Sequence, residues 1–94
     1  MADDRDDDDR GDQPGVDQLT DLIDYVARAL VDEPDDVTVE AIDSERAVIL
    51  ELTVAPSDLG KVIGKDGRTA RAMRTLLAAT SARLRRRAVL EILE

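Results

Sequence analysis

The chain has 94 residues, 43% of them hydrophobic, with a lone aromatic residue, no cysteine, no histidine and a formal net charge of −9 at pH 7. That length holds one small domain, and the missing Cys and His exclude a disulfide frame and the commonest metal ligands and general base. No segment approaches the roughly 18 apolar residues of a membrane span, and the acidic N-terminus lacks the apolar stretch of a signal peptide, so a soluble cytoplasmic protein is expected.

Charge is segregated along the chain. Residues 1–16 hold seven Asp and two Arg, and residues 17–57 hold eleven acids and two Arg. Residues 58–87 reverse the sign, with nine Lys or Arg against Asp58 and Asp66. A basic block of this density fits an anionic partner despite the negative total.

The first segment, "MADDRDDDDRGDQPG", cannot bury enough apolar surface to offset its ordering entropy, so residues 1–16 are expected to be a disordered acidic tail. It reads as a solubilising tail, or as a competitor of phosphates for the basic block. The folded domain is expected over 17–94. From Asp17, a candidate N-cap, Leu19, Leu22, Ile23, Val26 and Leu30 recur at helical spacing, until Pro34 ends the run. Tyr25 falls on the flank of that helix, where it is a bland surface residue or a partner contact.

"DVTVEAI" and "AVILELTV" both alternate apolar and polar residues, and the polar "DSER" joins them, which predicts a β-hairpin with one buried face. Pro56 suits the first position of a helix whose inner face is Leu59, Val62 and Ile63. Gly64 is expected to stop it in a left-handed cap. A second helix starts near Gly67, with Met73, Leu76, Leu77 and Leu84 on its apolar face and Thr69 and Thr80 beside them. No glycine marks its end. "AVLEIL" reads as a last strand. The order is helix, strand, strand, helix, helix, strand, an α+β fold.

Chemistry concentrates in "VIGKDGRTARAMR", residues 62–74. Gly64 and Gly67 carry no Cβ, so a ligand backbone can come close. Gly67 opens a helix whose first N–H groups lack internal partners and lie at the positive end of the dipole, a ready anion site. Lys61, Lys65 and Arg68 crowd that point. Arg71 and Arg74 follow at steps of three and with Arg68 cover about 120° of the helix, on the side away from Met73 and Leu77. Charges along a line imply a phosphate chain rather than one phosphate. A nucleotide P-loop is excluded, because Gly60 and Gly64 are one residue too close and Asp66 follows the lysine where Ser or Thr would bind magnesium. A dinucleotide fingerprint would need a glycine in place of Val62, after a strand.

The stretch "DLGKVIGKDGRTARAMR" resembles the K-homology (KH) motif, in which Ile-Gly-x-x-Gly joins two helices. The element order is similar to the type II KH arrangement, with a three-stranded sheet packed on helices. A chain of this length with one such domain resembles the small bacterial single-KH RNA-binding proteins of the KhpA type, over residues 17–94. The resemblance implies that Gly64, Lys65, Asp66 and Gly67 clamp the backbone of about four single-stranded nucleotides. It implies an RNA-binding set of Lys61, Ile63, Gly64, Lys65, Asp66, Gly67, Arg68 and Arg71. Leu59 and Val62 would add to the apolar wall, a sheet edge would form the opposite wall, and a second loop the far rim. That rim is either the "DSER" turn or the join near Arg83–Arg87. Asp66 puts a negative charge beside the phosphate path and is the residue least accounted for.

The same resemblance implies RNA as partner and pairing with a second KH-containing protein. One small groove binds weakly, so a homodimer or a complex with another KH-containing RNA-binding protein is expected, with no metal or other cofactor. It further implies an RNA chaperone or post-transcriptional regulator with an influence on cell division. The near-absence of aromatics counts against an RRM, which stacks bases on Phe and Tyr. The alternative is a KH-fold protein-interaction module with little RNA binding, using the helix of Tyr25 or a strand edge. Catalysis is not expected, since no pair of the remaining carboxylates and lysines is visibly poised.

Overall fold

A computed structural model of the chain describes residues 15–94. Residues 1–14, and with them most of the expected acidic tail, lie outside the described residues. The first helix, α1, spans Val16–Leu30. Its N-cap is Gly15 at φ 90°, with Asp17 one residue inside the first turn rather than capping it. Val16, Leu19, Ile23 and Ala27 form its buried face, whereas Leu30, expected in that stripe, is 37% exposed. The stripe therefore centres on Leu19 and Ile23 and closes on the small Ala27. Arg28 fastens the exit from the helix. Its guanidinium pairs with Asp24 at 3.0 Å and donates to the carbonyls of Pro34 at 2.9 Å and Val37 at 3.3 Å.

Strands β1 (Thr38–Asp43) and β2 (Val48–Thr53) form the expected antiparallel hairpin. The Ser44 N–H and hydroxyl both donate to the Ala47 carbonyl, at 2.9 and 2.8 Å, and close the turn. Val48, Leu50 and Leu52 are fully buried, as their alternation predicts. The last strand, β3 (Ala88–Ile92), pairs with β2 in parallel, Leu50 opposite Leu90, so the sheet order is β1-β2-β3. A parallel neighbour needs a crossover. The crossover consists of two helices, α2 (Leu59–Ile63) and α3 (Arg68–Arg83). The core is shared by α1, α2, α3 and one face of the sheet. On the opposite face Glu40, Glu51 and Glu91 stand side by side in register. Acid thus collects behind the sheet, away from the basic block.

The core face of α3 is Ala70, Met73, Leu77 and Ser81. Leu76, expected among them, is 48% exposed. The helix ends without glycine by putting Arg85 at φ 58°. The Arg86 N–H reaches the Ser81 carbonyl at 2.9 Å and the Arg85 N–H the Ala82 carbonyl at 3.2 Å. That is the Schellman pattern, with Arg in the left-handed position glycine usually holds.

Asp58 holds the short α2 in place. It lies in the Pro56–Asp58 turn before the helix and is 1% exposed. Its carboxylate accepts the N–H groups of Asp32 at 3.1 Å and Glu33 at 3.0 Å. Burial works against its ionisation, but those two hydrogen bonds and the nearby Lys61 ammonium together hold its pKa below the ordinary 3.8.

Candidate nucleic-acid interface

Between α2 and α3 the backbone makes a tight turn with three positive φ angles: Gly64 at 78°, Asp66 at 57° and Gly67 at 75°. The Gly64 N–H closes α2 on the Gly60 carbonyl at 2.8 Å, and the Gly67 N–H returns to the Gly64 carbonyl at 3.1 Å. Gly64 does not form the expected left-handed cap, because its ψ of 169° is extended. The two glycines serve different ends. A Cβ on Gly64 would lie 2.2 Å from Thr69 Oγ1 and 2.8 Å from the Thr69 backbone N, so the turn cannot close with a larger residue. A Cβ on Gly67 would meet nothing within 4 Å. That position, just before α3, is open, and no side chain caps the helix N-terminus. Asp66 now has a backbone reason. It occupies the left-handed region, which Asp and Asn tolerate better than other side chains.

A groove of about 450 Å³ leads away from this turn, lined by Ile63, Gly67, Ala70, Arg71, Arg74, Ile92 and Glu94. One wall is the α2–α3 unit and the other is the free edge of β3. Ile63, Ala70 and Ile92 supply apolar surface, and Arg71 and Arg74 supply charge. Arg74 does not lie away from the core, as its place in the arginine series suggested. Its Nη2 donates to the Leu90 carbonyl of β3 at 3.2 Å. At 100° per residue Arg74 is only about 40° from the buried Ala70, which puts it on the flank facing β3.

Strand direction places both candidates for the far rim at one end of the sheet. Ile92 and Glu94 share the groove with Gly67, so the turn sits at the C-terminal end of β3. The α3–β3 join and the "DSER" turn both lie at the other end, tied by an ion pair between Arg86 and Asp43. Of the two, the join runs directly into the strand that walls the groove. Arg83, Arg85 and Arg87 are exposed there, and no ion pair engages them among the described residues.

Of the residues singled out from sequence, Ile63, Gly67 and Arg71 line the groove. Gly64, Lys65, Asp66 and Arg68 belong to the turn at its end, with Lys65, Asp66 and Arg68 exposed. Lys61 is placed differently. Its ammonium lies 3.3 Å from Asp32 and 3.6 Å from Asp58. The hydrogen bond and charge of Asp32, aided by Asp58, raise its pKa above the ordinary 10.5. Leu59 and Val62 leave the expected apolar wall. Val62 is fully buried, and Leu59 lines a separate hollow with Val54, Pro56 and Leu93. Sequence reasoning missed Ala70, Arg74, Ile92 and Glu94. Arg74 carried a signal as the third arginine of the series, but the strand-side residues carried none until β3 was known to be a parallel edge. No group of three acidic side chains with metal-binding geometry exists among the described residues. No helix there is long and apolar enough to cross a membrane.

A βααβ unit with a glycine-bracketed turn, preceded by a helix and strand, defines a KH domain of type II. The family model for the KhpA/KhpB KH domain matches residues 20–92, and the chain belongs to that family, one of binding domains rather than enzymes. It is 51% identical over 76 residues to the RNA-binding protein KhpA of Aquifex aeolicus, covering 81% of this chain and 96% of that protein. Identity to the RNA-binding protein KhpA of Treponema pallidum is 55% over 73 residues, covering 78% and 91%. To that of Clostridium acetobutylicum it is 49% over 72 residues, covering 77% and 96%.

Proposed function

We propose that this chain is a non-catalytic RNA-binding protein that holds a short single strand in the groove between α2–α3 and β3. The observation that carries this reading is the open space at Gly67, where a phosphate can approach the N-terminus of α3, which no side chain caps and whose Arg68 N–H already donates to the Lys65 carbonyl. Lys65, Arg68 and Arg71 supply charge along the strand. Ile63 and Ile92 offer apolar contact to the bases, and the outward polar groups of the β3 edge face them. Asp66 serves the turn rather than the ligand, and Lys61 serves Asp58 and Asp32. The three KhpA proteins above are named for RNA binding, which supports the same reading.

One groove of about four nucleotides binds weakly, so useful affinity calls for a second KH domain, from another copy or from a different KH-containing protein. Part of this proposal is a cytoplasmic role in RNA fate, as chaperone or post-transcriptional regulator, through which cell division would be affected. Lys65→Asp tests the clamp. With a fluorescein-labelled 12-nucleotide RNA of mixed sequence, affinity at 100 mM salt should fall about tenfold. The log–log salt slope should become shallower by about one, with an unchanged circular dichroism spectrum. Unaltered affinity removes the clamp. Tyr25, 75% exposed on α1, favours a second reading as a protein-interaction module. Binding of that kind would not show the steady fall of log affinity with log salt.

A further inference from the structure

We propose that the arginine cluster at the end of α3 is a docking surface for this chain's own acidic N-terminal segment, residues 3–12, and that the segment competes there with RNA phosphate. The second half of this proposal rests on the RNA-binding reading above; the first half does not. The supporting geometry lies within the described residues. Gly15, where the segment enters the fold, packs on Leu84: a Cβ there would lie 3.0 Å from Leu84 Cδ1 and 3.4 Å from its Cβ. Leu84 is flanked by Arg83 and Arg85. Gln18, in the first turn of α1, shares a small hollow with Thr80, Arg83 and Leu84. The point from which the segment leaves the fold therefore lies against Leu84, close to Arg83.

The distances suit it. Asp12 is three residues before Gly15, a reach of about 10 Å, and Asp3 is twelve before it, about 40 Å at full extension. Seven Asp against Arg5 and Arg10 make the segment strongly negative. Arg83, Arg85 and Arg87 are exposed and without an ion-pair partner among the described residues. Tethering at this range corresponds to a millimolar effective concentration, and much of the attraction acts within a Debye length. Arg85 adds an independent sign that charge is wanted here. It holds a left-handed backbone position that glycine would take at lower cost. The cluster precedes β3, at the end of the strand away from the Gly64–Gly67 turn, so an RNA strand running from that turn along β3 would arrive where the segment docks. RNA binding would then require displacement of the segment.

The test uses the full chain and a full-length variant with all seven Asp of residues 3–12 changed to Asn. Nitrogen-15 NMR without RNA compares the two at 50 and 500 mM salt. The proposal expects amide and arginine side-chain shift differences concentrated at residues 83–87 at 50 mM and lost at 500 mM. Differences confined to the segment itself, or found instead at Gly64–Gly67, overturn the docking surface. For competition, the 12-nucleotide RNA should bind the variant about five- to tenfold more tightly at 50 mM salt and equally at 500 mM. Equal affinity at 50 mM, with the shifts in place, overturns the competition. If neither chain binds RNA, the RNA reading fails and the competition with it, while the shift map still decides the docking.

Discussion

Helix α3 is entered and left through turns that both need left-handed backbone, yet the two turns are built from opposite residues. At the entrance, Gly64 and Gly67 carry two of the three positive φ angles and Asp66 the third. At the exit, Arg85 stands alone at φ 58°. The entrance leaves open the space that a side chain on Gly67 would take, which in the proposed reading lets a ligand touch main-chain N–H groups. The exit accepts backbone strain in order to keep a long cationic side chain. In the proposed reading, the entrance would recognise phosphate by geometry and the exit by charge with reach. The two should fail differently when altered.

Gly64→Ala should do the most damage. The new Cβ would collide with the Thr69 side chain and backbone N, in a φ/ψ region nearly closed to other residues. Expected loss is about 3 kcal/mol by urea unfolding, enough to threaten a domain of this size. A loss below about 1 kcal/mol would mean that the entrance tolerates side chains and the contrast with the exit is false.

Asp58→Asn should come next, because the entrance hangs on a five-residue helix that Asp58 ties to the end of α1. An amide accepts with only one oxygen, so one of the Asp32 and Glu33 N–H groups loses its partner and Lys61 loses a charge. The unfolding midpoint should fall on the order of 10 °C at neutral pH. The sign of the pH dependence follows from the shifts. Asp58 is depressed, so its contribution is present above the ordinary 3.8 and fades as pH drops through its folded value. Lys61 is raised, so its contribution is full below 10.5 and fades as pH climbs through its folded value. Thermal melts from pH 2 to 7 should therefore lose part of their acid limb in the variant. Substitutions at the exit, where no buried carboxylate sits, should leave that limb in place.

Much of the fold was legible because periodicity reports burial. Val48, Leu50 and Leu52 alternate and are buried; Leu19, Ile23, Met73 and Leu77 fall at helical spacing and are buried. The misplaced residues lie at stripe margins, Leu30 and Leu76, where a residue's angle leaves either side open and Ala27 or Ala70 fills the contact instead. The glycine turn could be located from residue types alone. Its division of labour could not, since only coordinates show that Gly64 is enclosed and Gly67 open. The strand side of the groove was hidden because it depends on β3 pairing in parallel at an edge. The ion pairs of Lys61 are not legible in sequence, because Asp32 is distant along the chain and Asp58 is hidden by burial. The end of α3 looked unmarked because the left-handed position carries Arg85 rather than glycine.

Gly67→Ala separates folding from binding at the entrance. The position is left-handed, so alanine should cost about 1 kcal/mol, but no atom lies near enough to clash. RNA affinity should fall at least tenfold, more than the stability change can explain, because the methyl group would occupy the phosphate approach. Full affinity in a folded variant would show that the open space is not the clamp.

Arg85→Gly is the smallest effect and the only one of opposite sign. Relief of the left-handed strain favours glycine by roughly 1–2 kcal/mol, and glycine's larger freedom in the unfolded chain takes back about 0.5–1. The net expectation is a gain of about 0.5–1 kcal/mol, a midpoint rise of a few degrees. Gly67→Ala and Arg85→Gly are then mirror images: one adds a side chain to a left-handed position at a cost, the other removes one at a gain, and both should weaken RNA binding. A variant that is more stable and binds less well would show that the exit turn keeps arginine for its charge against the preference of its own backbone. A variant that is less stable would mean that the Arg85 side chain holds the helix end by a contact worth more than the strain, and the exit would be structural like Gly64 rather than a binding surface.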